Sequence, residues 1–490
     1  MLQSFVGGLN TSSPIEMIAE NELAEVVNMQ IDNSGLLRTV RGTRDIVTAS
    51  TKRFKAAAFD SINNILILFC TDNSVYALLD GTLKNIGSLS GTEEPITVSW
   101  EDGLLIASGG YLQYAKYVAA SKKGKETIDV AYKLQTITSS KPRSNGVFVR
   151  SGRVFVFDDE DNLFFSAVGD EETWTEDSND PSSAIFAQIG YKVGGRIIGL
   201  VNFQSYCLII KDNGKVYRLE NEYPDWVIKE VTSNGMCMGK TAYASIGSSV
   251  FLLGEKVLQA ISPTDDYGNM PMNQIGKQVQ NQIDSLPPWT KMRYINELNQ
   301  LWFVTKSQWV LVFDATTQTF FQRYFNSDVV DVVGNIIVKR NKVCVLSDED
   351  DMTDNGSPLE YRVKFKTEMA LNDILVKHID LSINPLVSFY NDAGAVLNVG
   401  RINVPFPQRK SITEGRRQRT VGVTNTAKEY EQSWTNNKSD VFLNYENVSV
   451  GKSILYKKRQ VCRCDRVDVS LSGSGFPFIL NFISYNKVEV

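Results

Sequence analysis

The chain has 490 residues, a formal net charge of -5, and 42% hydrophobic and 22% charged residues. This composition is that of an ordinary globular protein and excludes the disordered and coiled-coil classes. No apolar run approaches the roughly 18 residues of a membrane span, and the N-terminus lacks the basic and long apolar regions of a secretory signal. We therefore expect assembly in the cytoplasm.

Charge is unevenly distributed along the chain. Residues 361–490 contain 19 Lys and Arg against 12 Asp and Glu, whereas residues 1–360 contain 32 against 44. An acidic body with a basic C-terminal part predicts two domains with different neighbours. The alternative is that the two surfaces differ by chance or pair with each other.

Residues 1–44 form the first predicted segment. A Gly-rich opening leads to Pro14, and Ile18, Leu23, Val26 and Val27 then recur at roughly helical spacing within residues 15–29. We expect an extended N-terminal arm with a short helix, which together form a docking segment whose partner the sequence does not name, and a strand at residues 36–42.

The central part of the chain repeats β-hairpins. Residues 206–210 (YCLII), for example, turn at Asn213-Gly214 into residues 215–219 (KVYRL), and aromatic and β-branched runs joined by such turns are typical of hairpins. Similar units recur near residues 53–90, 93–135, 145–190, 195–232, 240–275, 290–327 and 328–365. The repetition predicts a β-propeller of six or seven blades over residues 45–365, with a helix near residues 272–285.

The rhythm changes after residue 366. Strand-like runs at residues 379–383, 386–390, 467–471 and 478–483 predict a β-sandwich-like domain over residues 366–490. Between them, residues 404–438 are polar and basic and are predicted to form a long loop. The predicted fold class is therefore all-β: a propeller, a C-terminal sandwich-like domain and an N-terminal arm.

Residues that could support catalysis are scarce. The chain has one histidine, His378, on which any Ser-His-Asp triad or histidine-rich metal site would depend, and we interpret it as a structural or surface residue. Residues 235–241 (GMCMGKT) place three residues between two glycines where a P-loop needs four. The six cysteines are scattered, and Cys462 and Cys464 share a strand face without a second ligand pair. We predict no catalytic residue, metal site or cofactor.

Acidic residues cluster at 158–161, at 170–172 and at 348–351. The last cluster, Asp348, Glu349, Asp350 and Asp351, opens a partial calcium-loop pattern, but the twelfth position counted from Asp351 is Arg362 instead of the closing Glu. We predict solvated loop tips, with a cation site as the alternative. Paired carboxylates for glycosidase chemistry remain possible, because a propeller brings distant loops together.

Basic residues cluster in the C-terminal part. The candidates for channel or subunit contacts are Arg409, Lys410, Arg416, Arg417, Arg419, Lys457, Lys458 and Arg459. Such side chains neutralise phosphates without reading sequence, which suits the passage of nucleic acid, and they equally suit salt bridges to an acidic neighbouring subunit. We favour subunit contact. For a channel constriction, the first candidates are the loops that carry Asp348–Asp351 or Arg416–Arg419.

Three stretches resemble one known family. The opening combines FVGGLN at residues 5–10 with Ser13-Pro14, Asn28, GLLR at residues 35–38 and Arg41-Gly42. Residues 164–174 (FFSAVGDEETW) are similar to a blade loop with a strand, a Ser, a Gly-Asp and a Trp, and residues 463–472 and 478–485 are similar to terminal strands. Together they resemble the tail hub, or nozzle, proteins of short-tailed phages, also described as DNA-stabilisation or head-closure proteins.

The resemblance implies a structural protein of the virion tail. Its members form a hexameric ring below the portal and its adaptor, with a propeller outside and a β-rich part at the central channel. The ring carries double-stranded DNA outward, retains the packaged genome before infection, and anchors fibres or a tail needle. We therefore expect a homohexamer whose partners are the portal–adaptor proteins and fibre or needle proteins, and no enzyme activity.

A second class of function stays open. A propeller could bind or hydrolyse glycans of a host surface, with tryptophans stacking on sugars; the candidates are Trp174, Trp226, Trp289, Trp302, Trp309 and Trp434. Most of them lie in strand-like contexts, where core packing is the commoner role. A third class, a cytoplasmic scaffold of the host, lacks any WD or kelch signature.

Overall fold

The computed structural model describes residues 2, 4–119, 130–138, 143–262, 270–386, 394–406, 410–412, 441–443 and 453–489. They form two compact units, a propeller unit (Arg44–Leu346) and a terminal unit that joins both chain ends (Met1–Thr43 and Ser347–Val490). Nearly all regular structure is β, and the predicted all-β, propeller-like fold is confirmed. The unit boundaries differ from the expected ones, because the propeller strands end at Leu346 and the N-terminal arm belongs with the C-terminal part.

The N-terminal arm consists of strands and turns. Its strands are β1 (Gly8–Leu9), β2 (Glu22–Val27), β3 (Met29–Ile31) and β4 (Leu37–Thr39), followed by β5 (Thr43–Thr48). The helix predicted within residues 15–29 is wrong: a turn in which the amide of Met17 donates to the carbonyl of Pro14 precedes β2. The physical reason is tertiary pairing, because β2 pairs with a strand at residues 360–365 and this distant partner overrides the local helical spacing.

The first four blades are four-stranded antiparallel sheets. Blade 1 contains β6 (Phe54–Asp60), β7 (Ile65–Cys70), β8 (Ser74–Leu79) and β9 (Thr82–Ser88); blade 2 contains β10 (Ile96–Trp100), β11 (Gly103–Ala107), β12 (Gln113–Ala119) and β13 (Val130–Thr136); blade 3 contains β14 (Gly146–Arg150), β15 (Arg153–Phe157), β16 (Asn162–Phe165) and β17 (Ile185–Gln188); blade 4 contains β18 (Ile197–Phe203), β19 (Tyr206–Lys211), β20 (Val216–Glu220) and β21 (Val227–Thr232).

The remaining blades complete the propeller. Blade 5 contains β22 (Tyr243–Ile246), β23 (Ser249–Leu253), β24 (Leu258–Ile261) and β25 (Met272–Ile275); blade 6 contains β26 (Lys291–Ile295), β27 (Gln300–Val304), β28 (Trp309–Asp314) and β29 (Thr319–Tyr324); blade 7 contains β30 (Val329–Val333), β31 (Ile336–Lys339) and β32 (Lys342–Leu346). The helix expected near residues 272–285 is short: after β25, a 3-10 turn (Lys277–Val279) leads into α1 (Gln280–Asp284), and a second 3-10 turn (Asn296–Leu298) joins β26 to β27.

Blade 7 is completed by the other end of the propeller segment. The fourth strand beside β32 is β5, which precedes blade 1 in the chain, so the described residues contain seven four-stranded blades. The innermost strands β30 and β6 are neighbours, and an apolar cluster that includes Leu68 of blade 1 and Val338 and Val343 of blade 7 fills the space between these blades. Pairing of the two ends of the segment therefore closes the ring of blades.

Apolar layers between neighbouring blades form the core of the propeller unit. Ile67 and Phe69 of blade 1, for example, belong to one buried cluster with Leu104 and Ile106 of blade 2. Both faces of these central strands are buried, which explains why their sequences are continuous apolar runs instead of alternating ones. The hairpin turns are local: Gly214, between β19 and β20, has a φ of 84°, which glycine adopts without a steric cost.

The terminal unit contains three long strands among shorter ones. After β1 to β4, its strands are β33 (Thr353–Asp354), β34 (Ser357–Pro358), β35 (Glu360–Phe365), β36 (Glu368–Pro385), β37 (Gly394–Val399), β38 (Ile402–Phe406), β39 (Lys410–Ile412), β40 (Val441–Leu443), β41 (Ile454–Val467), β42 (Val469–Ser474) and β43 (Phe478–Glu489). The long ones are β36, β41 and β43. One sheet has the strand order β3-β4-β43-β36-β41, and a second contains β2-β35-β42-β37-β38. The rings of Tyr361 and Phe478 meet between them, 5.6 Å apart.

Candidate functional site

A cavity with a volume of about 610 Å³ lies on one face of the propeller unit. Its walls come from loops that precede the inner strands of blades 2 to 5 and from hairpin loops of blades 2 to 4. Its charged lining residues are Glu93, Arg143, Asp158, Asp159, Arg196, Asp212 and Lys240. Propeller geometry brings these loops together although they are far apart in sequence.

Several of these charges are already paired. The Lys240 Nζ lies 3.4 Å from a Glu93 carboxylate oxygen, and Arg196 binds Asp212 through both its backbone amide, at 2.8 Å, and its Nε, at 3.0 Å. Among the lining residues that the structure describes, no side chain is aromatic, so none offers a surface on which a sugar ring could stack. These residues can hydrogen-bond a polar group, but they do not place a nucleophile next to a base.

A buried ion cluster lies among blades 6, 7 and 1 and the start of blade 2. The Asp331 carboxylate is fully buried and accepts from Lys291 Nζ at 2.9 Å, from Arg293 Nε at 2.7 Å and from the Ala57 amide at 3.1 Å. Lys291 also contacts Glu94, at 2.5 Å. Burial alone would raise the pKa of Asp331, but the charges of Arg293 and Lys291 outweigh it and hold that pKa below its usual range. The cluster links the blades where the ring closes.

This ion cluster was not found by sequence reasoning. Glu94, Lys291 and Asp331 lie in separate hairpin units, and no spacing connects them. The available signal was the charge itself, because Asp331 interrupts an apolar strand (VVDVV) whose neighbours are buried. A charge in such a strand is almost always paired.

The predicted acidic loop tips hold part of the terminal unit together. Asp348, Glu349 and Asp350 are exposed, yet Glu349 binds both Arg38 and Arg41, the latter at 3.0 Å. The Asp351 carboxylate accepts from the amide and hydroxyl of Thr353, at 3.0 and 2.7 Å. The loop therefore contacts the N-terminal arm through Glu349, which is exposed to solvent, as are Asp348 and Asp350. The alternative, a cation site, gains no support from this geometry.

The structure describes part of the basic group. Lys457, Lys458 and Arg459 lie on β41, the end strand of its sheet. Lys410 lies on β39, and its side chain is outside the described residues. Arg409, Arg416, Arg417 and Arg419 are also outside them, as are most of residues 404–438. The structure thus places three of the eight predicted contact side chains together, on one strand.

The histidine and the cysteine pair have local partners. His378 Nε2 lies 2.9 Å from an Asp380 oxygen on the same strand, β36. The sulphurs of Cys462 and Cys464, which lie two residues apart on one strand, are 3.3 Å apart, and burial raises the pKa of the Cys464 thiol. Within the described ranges, no group of three or more His, Cys, Asp or Glu side chains could hold a metal ion.

The tryptophans proposed as sugar platforms are mostly packed inside blades. Trp302 is fully buried, Trp226 lies 4.4 Å from the ring of Phe165, and Trp174 donates from its indole nitrogen to the Glu171 carbonyl at 2.9 Å. Trp309 is half-buried, and Trp434 lies outside the described residues. Trp289 is 57% exposed but does not line the cavity.

Comparisons with known proteins leave the family open. No family model and no curated protein matches the chain. Among solved structures, a computationally designed protein, Ika8, is similar over 62% of this chain and 100% of its own, with 10% identity and a TM-score of 0.34; this likeness is too low to carry an argument. In the part of the chain that the structure describes, no helix is long and apolar enough to cross a membrane.

Proposed function

We propose that the chain is a structural protein of a short-tailed phage virion, the subunit of a tail nozzle ring below the portal and its adaptor. The observation that carries the proposal is that two of the stretches that resemble the nozzle proteins lie next to each other in the structure. The opening segment and the terminal strands, more than 400 residues apart, pair with each other: Leu37 and Arg38 of β4 lie opposite Leu480 and Ile479 of β43.

The individual residues of the resemblance have defined structural roles in the terminal unit. Asn28 donates from its side chain to the Glu360 carbonyl at 2.6 Å, Arg41 binds Glu349, and Gly42 lies against the backbone of Thr353. A change at Asn28 would remove the hydrogen bond to the Glu360 carbonyl, and a side chain at Gly42 would clash with Thr353. This supports treating the resemblance as a shared architecture.

The mechanism of such a subunit is mechanical. The closed blades of the propeller unit are rigid, the edges and loops of the chain are available for contacts with neighbouring subunits, and a ring of such subunits needs no active site. The acidic body disfavours strong phosphate binding, which lets double-stranded DNA slide through a channel. In this proposal the ring is a homohexamer in the virion tail that retains the packaged genome and anchors fibres or a needle.

Electron microscopy of the protein mixed with the portal–adaptor complex of its virus tests the proposal. We expect a six-fold extension of the tail axis, with one propeller per subunit in the density. If the chain lies on peripheral fibres or is absent from virions, the nozzle function is wrong.

The alternative function is a glycan-binding protein or glycosidase that acts on host surface polysaccharide. The cavity could hydrogen-bond a saccharide, but none of its described lining residues offers an aromatic platform. Glycan-array binding or turnover of a polysaccharide, together with the absence of axial density, would favour this alternative.

A further inference from the structure

The strand β41 presents a long basic edge. It is the last strand of its sheet, and in the described part of the chain it pairs on one side with β36. Its exposed face carries Leu455, Lys457, Arg459, Val461 and Arg463, every second residue. Leu455 is 46% and Val461 63% exposed. Exposed apolar side chains rimmed by polar or charged ones mark a candidate site for contact with another protein.

Blade 3 presents the opposite charge. Residues 154–188 contain ten Asp and Glu and no Lys, Arg or His. These acids occupy the loops at the two ends of β17, the outermost strand of the blade, and at one end Gln188 binds Asp161 at 2.9 Å. Apolar side chains are exposed here as well: Phe186 on β17 is 45% exposed, and Val168 in the longer loop is 50% exposed.

The charges of β41 and of blade 3 favour contact between these two different surfaces over contact between two identical ones. Pairing of β41 with β41 across a two-fold axis would bring together two strands that each carry Lys457, Lys458 and Arg459, which like-charge repulsion disfavours. The basic edge and the acidic blade are different surfaces, and contact between different surfaces of identical chains is heterologous. Repeated heterologous contacts close a ring or extend as a filament.

We propose that the basic edge strand β41 of one copy docks on the outer edge of blade 3, around β17, of a second copy of this chain. The inference rests on the proposed ring function and names the interface that would build the ring. The lengths are compatible: at roughly 3.3 Å per residue, β41 extends far beyond the four residues of β17. It can therefore reach the acidic loops at both ends of that strand.

The two surfaces can be reversed separately in the full chain. A basic-reversed variant carries Lys457→Glu, Lys458→Glu and Arg459→Glu, and an acid-reversed variant carries Asp159→Lys, Glu172→Lys and Glu176→Lys, all exposed or half-exposed positions. A control with the net charge of the basic-reversed variant carries Lys84→Glu, Lys133→Glu and Lys256→Glu, at exposed sites elsewhere on the propeller. Circular dichroism and thermal melting verify that all three fold.

The readout is ring assembly on the portal–adaptor complex, measured by electron microscopy, together with self-association by sedimentation. Each reversed variant alone should lose assembly, and its association constant should fall by about tenfold or more because like charges now meet. The control should behave as the wild type. A one-to-one mixture of the two reversed variants should regain assembly, because each now offers the surface that the other lacks.

Zero-length carbodiimide cross-linking of isotopically light and heavy chains then locates the contact. Peptides that join Lys457 or Lys458 of a light chain to acids of residues 158–180 of a heavy chain are expected. Cross-links confined to one chain, assembly of both reversed variants, or no rescue in the mixture would overturn the inference. If the basic-reversed variant instead loses only its binding to double-stranded DNA, the strand contacts phosphate and the inference is also wrong.

The same experiment separates the inference from the proposed function. A six-fold ring that forms with the wild type and with every variant leaves the nozzle function standing and removes this interface. Failure of the wild-type chain to extend the portal–adaptor complex overturns the nozzle function, and the proposed interface with it.

Discussion

The propeller unit and the terminal unit both consist of β-strands, but the strands of the first pair mostly with sequence neighbours and many strands of the second pair with distant segments. In the propeller, blades 1 to 6 are runs of consecutive hairpins whose strands bond to their immediate sequence neighbours, and blade 7 adds β5 from the other end of the segment. In the terminal unit, β2 pairs with β35 and β4 pairs with β43, so the sheets join residues from the two ends of the chain. Short segments of the sequence therefore determine most strand pairs of the propeller unit, whereas the sheets of the terminal unit need both ends of the chain.

This difference predicts where each unit is vulnerable. A hairpin repeat tolerates change in any one turn, because its neighbours are stabilised independently, whereas closure of the ring depends on the few contacts between its first and last blades. The terminal unit depends on close backbone packing between segments that are distant in sequence. Long-range pairing of this kind also adds loop-closure entropy that folding must overcome.

The largest expected effect comes from breaking the ion cluster at ring closure. Asp331→Asn removes a buried charge that neutralises Lys291 and Arg293, and we expect it to lower the free energy of unfolding by about 3–5 kcal/mol. Denaturant unfolding measures the loss, and hydrogen exchange should place it in residues 44–346. The matched control is Asp328→Asn, whose carboxylate lies 3.9 Å from Arg340 at the surface and should matter little. Equal losses in the two variants would contradict the role of the cluster.

The pH dependence of that effect has a defined sign. Because the folded state holds the pKa of Asp331 below its ordinary value of 3.8, the carboxylate stabilises the fold at pH values above 3.8, and this contribution is lost as the pH falls through the folded pKa. The stability difference between wild type and Asp331→Asn should therefore stay constant from neutral pH down to about 4 and shrink below it. A difference that disappears near pH 6 would point to another group.

The second effect tests the terminal unit. A Cβ at Gly42 would lie 2.0 Å from the carbonyl oxygen of Thr353, so Gly42→Ala forces two backbone segments apart. We expect a loss of about 1–3 kcal/mol in the free energy of unfolding, with hydrogen exchange increasing in residues 4–43 and 347–365. Gly239→Ala is the control, because a Cβ there meets open space. An unchanged melting temperature for Gly42→Ala would show that the two segments are not packed this closely.

The same contrast explains what could be predicted from the sequence. The Asn213-Gly214 turn predicts its hairpin because the two paired strands lie within a few residues of it in the sequence. The fold prediction follows from the repetition of such turns along the chain. The helix prediction for residues 15–29 was wrong because β2, which lies within them, pairs with the distant strand β35. The fourth strand of blade 7 was not predicted because it is β5, which precedes blade 1 in the chain. The ion cluster around Asp331 is likewise assembled by closure of the ring, so no local pattern predicts it. The charges of the basic strand β41 were visible in the sequence, but its position at the edge of a sheet was not.

The smallest expected effect measures how firmly the arm is held at the surface. Glu349→Gln weakens two ion pairs, with Arg38 and Arg41, but the Glu349 side chain is 54% exposed, so we expect about 1 kcal/mol or less, decreasing with added salt. The hydrogen bond from Arg38 holds the pKa of Glu349 below its ordinary 4.5, so the contribution is present above pH 4.5 and is lost as the pH falls through the folded pKa. Asp350→Asn at the neighbouring exposed position is the control. If Glu349→Gln cost as much as Gly42→Ala, the arm would depend on charge, and backbone packing would no longer explain how the two chain ends are joined.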